Sequence, residues 1–257
     1  MTADRGQQEV RQSAGVGVWV RSVLYFLVMV ASVAVFAPLA VLTFFLPFRR
    51  RYGFITQWAR FNLWALARIC GLHYRVRGGE HIPPGNGIVL CKHQSAWETL
   101  ALQRIFPPQV WVLKRELLWI PLFGWGLAML KPIALDRKAG RKAVGQLVRQ
   151  GRSRLEEGLW VVVFPEGTRV APGQRGRYRL GGAVLAEQTG YPVVPVAHNA
   201  GQFWPRRSLI KYPGTVDVVV GAPIRPEGRT AAELMEEAAE WIEARMAEIT
   251  SLPPSGE

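Results

Sequence analysis

Cysteine is almost missing from this chain: two occur in 257 residues, Cys70 and Cys91, and they form no C-x-x-C pair. That excludes a disulfide framework and a cysteine-rich zinc site, and it fits a reducing compartment. The four histidines, His73, His81, His93 and His198, lack ligand spacing, which argues against a metal centre. Acid is scarce as well, with 19 Asp and Glu against 32 Lys and Arg, a formal charge of +13. Such an excess implies an acidic partner: a nucleic acid, an anionic membrane surface or phosphate-bearing substrates. The sequence has no internal repeat or low-complexity tract. Its length suits one large domain, or one domain with an appendage.

Charge of either sign vanishes from Ser22 to Phe48, a run of 27 residues between Arg21 and Arg49-Arg50-Arg51. One straight helix of that length reaches about 40 Å, against a hydrocarbon core of roughly 30 Å. The run is therefore expected to tilt, to kink at Pro38, or to break into two pieces that dip into one leaflet. Ser32-Val33-Ala34 imitates a signal-peptide cleavage site, but the apolar run continues well past it, as a retained anchor does. Several of the ten tryptophans lie near this region, as membrane interfaces favour. The basic residues after the run, continued by Arg60, Arg68, Arg75 and Arg77, place the main domain on the cytoplasmic side. Residues 54–69, with Trp58, Phe61, Trp64 and Leu66, read either as a helix along the membrane surface or as one packed on the domain core.

Beyond Gly71 short β-rich runs appear at 88–92, 110–113, 132–135, 160–164, 193–197 and 216–220. Helix-like stretches lie between them at 96–105, 138–157 and 182–189, the second ending at Gly158. This alternation predicts an α/β fold with a mixed, partly parallel sheet flanked by helices, its strands covered on both faces. The tail opens with a capping box, Thr230-Ala231-Ala232-Glu233, and continues as an acidic amphipathic helix to Ile249.

Three stretches can carry chemistry. In "LCKHQSAWETL" (90–100) a strand delivers His93 to its carboxyl end, with Glu98 five positions on. A histidine is the natural proton acceptor for a hydroxyl nucleophile, and a carboxylate on its other ring nitrogen fixes the tautomer. The same residues match an S-x-x-E capping box (Ser95 to Glu98), which needs no catalysis. Cys91 as a nucleophile is conceivable, although a buried strand cysteine is the simpler account. In "FPEGTR" (164–169) a strand ends in a turn built on Gly167, and Arg169, Arg175, Arg177 and Arg179 fall within eleven residues, as in an anion pocket. Residues 114–137 frame an apolar interior with Lys114 and Arg115 at one end and Lys131 and Arg137 at the other. That pattern suits a ligand with a charged head and a greasy body, or a hydrophobic hairpin packed in the core.

In this order the stretches resemble the 1-acylglycerol-3-phosphate acyltransferase family of membrane-bound glycerolipid acyltransferases, over roughly residues 70–200. "KHQSAWE" is similar to the family's N-H-x-x-x-x-D motif, "FPEGTR" matches its third motif, "KREL...IP.FG...ALDR" looks like its second, and "VVPVAHNAG" looks like its fourth. Glu98 stands where the family has aspartate, and Lys92 where it has asparagine. The resemblance implies a glycerolipid acyltransferase-type domain (70–257) behind an N-terminal anchor and interfacial helix (1–69). It implies that His93 and Glu98 are the catalytic pair. Lys114, Arg137, Glu166, Gly167, Thr168 and Arg169 would bind the acceptor, and Pro195 would shape the pocket's far wall on the acyl side. Lys92 or a backbone N–H near His93 would stabilise the oxyanion. The implied reaction acylates 1-acyl-glycerol-3-phosphate from acyl-CoA or acyl-carrier-protein to give phosphatidic acid, at the cytoplasmic face of the inner or plasma membrane. It needs anionic lipids and an acyl thioester as partners, and no metal, cofactor or nucleic acid. Another lyso-lipid acceptor, or an inactive lipid-binding relative, are the competing expectations.

Overall fold

The computed structural model describes residues 14–136 and 139–250. Three helices open the chain: α1 (Val16–Leu42), α2 (Phe48–Ile55) and α3 (Gln57–Ala65), the last running into a π-helical turn, Leu66–Cys70. Seven strands follow: β1 (Leu72–Arg77), β2 (Ile88–Cys91), β3 (Gln109–Lys114), β4 (Ile133–Leu135), β5 (Trp160–Val163), β6 (Val193–His198) and β7 (Gly214–Val220). Between and after them lie α4 (Trp97–Ile105), α5 (Phe123–Ala128), α6 (Arg141–Glu156), α7 (Gly181–Thr189), α8 (Ala200–Phe203) and α9 (Ala231–Thr250).

The strands form one sheet in the order β1-β7-β6-β2-β5-β3-β4, parallel at every pairing except β6 with β7. The six expected strands are all present. β1 is an addition, because "LHYRVR" carries three basic side chains in six residues. It lies at the sheet's edge, where its bases reach solvent and Arg75 pairs with Asp217 of β7. Strand alternation divides the interior in two. Val89 and Cys91 face α1–α4, whereas Ile88 and Leu90 face α6, α7 and α9. Every residue of β2 is buried, each apolar side chain contributing about 1.5–3 kcal/mol. Gly182 lets the start of α7 press on β2, since a Cβ there would stand 2.6 Å from Leu90 Cδ2.

The apolar run falls mostly in α1 and ends in the turn before α2. α1 begins before Arg21, contains Pro38, and ends at Leu42, after which the chain turns into α2. It is docked along its length. Ser22 Oγ accepts the Lys211 N–H (2.9 Å), Tyr25 donates to Asn62 (3.3 Å), Trp58 Nε1 donates to Ser32 Oγ (2.9 Å), and Ala37 and Ala40 close on Gly126. The opposite face exposes Leu24, Leu27, Val30, Val35 and Leu39. The helix expected at 54–69 is broken at Thr56, and its two readings share it: Ala59, Asn62, Leu63 and Leu66 point inward, and Arg60, Trp64 and Arg68 outward. The tail helix keeps its capping box, with Thr230 N–H and Oγ1 donating to Glu233 and the Glu233 N–H returning to Thr230 Oγ1.

Candidate active site

β2, β3, β5 and β6 run in one direction, so their carboxyl ends open on a single edge of the sheet. Open α/β sheets bind ligands at that edge. Here it receives His93 after β2, Lys114 at the end of β3, the Phe164–Arg169 loop after β5 and His198 at the end of β6.

His93 Nδ1 lies 2.8 Å from Glu98 Oε1. The carboxylate, wholly buried, also accepts the N–H groups of Gln94 (3.0 Å) and Ser95 (2.8 Å). Burial alone would raise its pKa. His198, the bond and charge of His93, and the Ser95 N–H outweigh that and hold Glu98 below its ordinary value. An ionised Glu98 can only accept, so the ring nitrogen facing it, Nδ1, carries a proton. The imidazole stacks on Phe164, centroids 4.1 Å apart at 18°. α4 starts at Trp97, one residue into the helix-like stretch expected at 96–105, and Ser95 Oγ accepts the Trp97 N–H at 3.2 Å. Capping and aiming therefore coexist. The extra methylene of glutamate lets Glu98 reach back over the turn to both the imidazole and two main-chain donors.

The main chain of His93 is held on both sides. Glu166 Oε2 accepts its N–H at 3.0 Å, and its carbonyl accepts the Val170 N–H at 2.8 Å. His198, fully buried, accepts the Ala200 N–H at Nδ1 (3.2 Å), which leaves Nε2–H to donate to the Lys92 carbonyl (2.8 Å). Its Nε2 stands 3.9 Å from Glu98. Burial lowers its pKa, against the pull of Glu98.

From His93 an apolar groove of about 410 Å³ runs between the sheet and α1. Met29, Val33, Ala37 and Ala40 of α1 form one wall, α4 and β3 another, and Phe123 and Leu127 of α5 a third. Lys114 and Arg169 line it as well, as do His93 and Phe164. The stretch expected to frame a charged head and a greasy body thus becomes part of the groove, while its Trp119, Ile120 and Trp125 stay exposed.

Several expected roles need revision. Glu166 is buried, and its oxygens are taken by Lys92, the His93 N–H and the Gly176 N–H, so it braces the loop instead of facing a ligand. Lys92 follows the alternation of β2 to the face opposite His93, and the His93 N–H is already bound. Both donors are therefore engaged within the protein. Pro195 lies on the α9 side of β6, crowding Gly221 together with Trp241, and does not line the groove. Cys91 is buried, and burial pushes its thiol well up, which disfavours the thiolate. Gly167 takes the left-handed turn (φ 67°), Thr168 is exposed beside it, and Arg137 lies outside the described residues. Arg175, Arg177 and Arg179 are exposed, so of the four clustered arginines it is Arg169 that joins His93 at the groove. The sequence reading missed His198 and the α1 wall. Their signals were a histidine ending a β-run and the small residues Ala37 and Ala40, neither informative without the partner surface.

Comparison with known proteins adds four findings. The family model described as Acyltransferase matches residues 73–199. The chain is 48% identical over 238 residues to the 1-acyl-sn-glycerol-3-phosphate acyltransferase of Pseudomonas aeruginosa, covering 91% of this chain and 93% of that protein. It is 31% identical over 174 residues to the 1-acyl-sn-glycerol-3-phosphate acyltransferase alpha of Homo sapiens, covering 66% of this chain and 62% of that one. Among solved structures, the crystal structure of the 1-acyl-sn-glycerophosphate (LPA) acyltransferase PlsC from Thermotoga maritima matches with a TM-score of 0.76 at 21% identity. That match covers 91% of this chain and 97% of that chain, and it speaks for the fold.

Proposed function

The chain belongs to the 1-acyl-sn-glycerol-3-phosphate acyltransferase family, and from that premise we propose how its residues carry out the reaction. The protein is an enzyme that moves an acyl chain to the free hydroxyl of 1-acyl-glycerol-3-phosphate, forming phosphatidic acid. In our reading, Nε2 of His93 removes the hydroxyl proton as that oxygen attacks the carbonyl of an acyl thioester. Glu98 keeps the proton on Nδ1 and stabilises the imidazolium. The tetrahedral intermediate then collapses, its C–S bond breaks, and the imidazolium returns the proton to the departing thiolate. This scheme calls on no metal or redox cofactor and no acyl-enzyme. The acyl chain lies in the groove, and Arg169 and Lys114, which line it together with His93, hold the acceptor's phosphate. The observation that carries the reading is the His93–Glu98 pair, 2.8 Å apart, opening on an apolar groove flanked by those two cations.

α1 is long and apolar enough to cross a membrane, which supports membrane association. Because it is docked on the domain from Ser22 to Ala40, we place its free face in lipid with the domain alongside, at the cytoplasmic surface that Arg49–Arg51 favour. The acyl donor is a thioester of coenzyme A or of acyl-carrier-protein.

The test is acyl transfer to lysophosphatidic acid by membranes carrying the protein, with labelled acyl-CoA and acyl-carrier-protein donors run separately. His93→Ala is expected to lose at least about a hundredfold while staying folded and membrane-bound. Retention of activity by that variant would remove His93 from the role of base.

A further inference from the structure

Lys92 is one of two lysines buried among the described residues, 1% exposed, and the reaction as written makes no use of it. Alternation along β2 turns it away from the groove toward α9. There its three N–H donors are matched by three acceptors: Glu166 Oε1 (2.8 Å), Glu243 Oε1 (2.7 Å) and the Gln174 carbonyl (3.1 Å). Tyr178 donates to the same Glu243 oxygen at 2.7 Å. A buried ammonium is costly unless paired and fully hydrogen-bonded, and here it is both.

The pairing leads back to the base. Glu166 takes the ammonium on Oε1 and the His93 N–H on Oε2. Its side chain is 0% exposed, so it has no route to water if its counter-charge is removed. Glu243 is different: its side chain is 21% exposed, at the edge of α9. Loss of the ammonium would set two carboxylates against each other, and the buried one, the one that holds His93, would have to move or take a proton.

We propose that Lys92 is a positioning residue for His93, acting through Glu166, and that α9 is part of the same device through Glu243. A helix outside the matched segment 73–199 thereby helps to aim the base. The proposal rests on His93 being that base. It also gives a reason for a lysine at this position: it is neutralised from two directions, by the "FPEGTR" loop and by the C-terminal helix.

The test uses the full chain in mixed micelles, with kcat and the KM for lysophosphatidic acid and for the acyl donor measured for K92M, E243K, K92M/E243K and H93A. Thermal melts confirm folding. E243K lies at a partly exposed helix position and keeps a good helix former, so it remains informative if K92M does not fold. Misplacing a catalytic group by a fraction of an ångström to one ångström costs on the order of tenfold to a hundredfold. Each single variant is therefore expected to lose about tenfold or more in kcat with both KM values within about twofold. In the double variant the lysine at 243 returns an ammonium to Glu166, and kcat recovers by at least about threefold. A brace serving only stability would lower the melting point without this split or this rescue. A loss below about threefold in the folded single variants, or a double variant no better than the worse single, overturns the proposal. H93A separates the two levels: if it stays active, the reading of the base fails, whatever Lys92 does.

Discussion

His93 is aimed by its main chain as well as by its carboxylate partner, and the groups behind it have consequences of their own. His198 sits neutral and buried next to Glu98 with its pKa lowered by burial. In the unfolded chain the same imidazole titrates near about 6.5. Below that pH the unfolded state binds a proton that the folded state refuses, so stability is complete above it and declines as pH falls toward the depressed value. The melting temperature of the enzyme should therefore drop as pH is lowered from about 7 to 5, and His198→Asn should flatten that slope. An equally steep slope in the variant would assign the effect to another group. Glu98 adds a second loss with the same sign at lower pH, because its folded pKa also lies below the unfolded one, near about 4.3.

At the level of elements, the groove is made by α1 meeting the sheet. Ala37 and Ala40 allow α1 to close on Gly126 of α5, while Met29 and Val33 stay free to line the cavity. A large side chain on that wall should shorten the space available to an acyl chain without touching His93. Val33→Trp is expected to reduce kcat/KM for long-chain donors by about tenfold or more, a loss equivalent to at least ~1.4 kcal/mol of transition-state binding, and to spare short-chain donors. Competition between donors of different length in one assay checks this directly. Equal losses for all lengths would place the acyl chain elsewhere. α9 shows the other kind of element effect: its apolar face packs on the sheet through Leu234, Ala238 and Ile242, and its edge delivers Glu243 to Lys92.

Across the whole molecule, large apolar side chains stay exposed, and basic residues follow the apolar helix in sequence. The exposed face of α1, with Phe44, Phe45, Trp119 and Trp125, supplies the apolar area, and Arg49–Arg51 follow directly in sequence. Basic residues near an anionic surface contribute about 1 kcal/mol each. Replacing Arg49, Arg50 and Arg51 by alanine should weaken binding to vesicles containing anionic lipid by at least about tenfold, and raised salt should erase the difference. Binding to neutral vesicles should change little. A salt-independent loss would instead indicate damage to the fold, for which the contacts of Arg51 with the Phe44 carbonyl and the Phe48 ring give a local reason.

What the sequence determined by itself is local or periodic. Six strands, the α/β class, the apolar helix and the capping box of α9 all follow from hydrophobic period and cap chemistry, whereas the pairing of His93 with Glu98 came from the family resemblance, since spacing alone fits a helix cap equally well. Such signals act within a few residues, and so they survive without a partner surface. The tertiary structure alone decided which face each side chain takes and what it meets there. It turned Lys92 away from the groove and into a cluster with Glu166 and Glu243, residues 74 and 151 positions distant. It occupied both Glu166 oxygens with protein donors, put Pro195 on the far side of the sheet, and built the apolar groove from a helix that by composition reads as an anchor. Those outcomes depend on strand order and on parallel pairing between distant segments, which is where the information in a one-dimensional pattern ends.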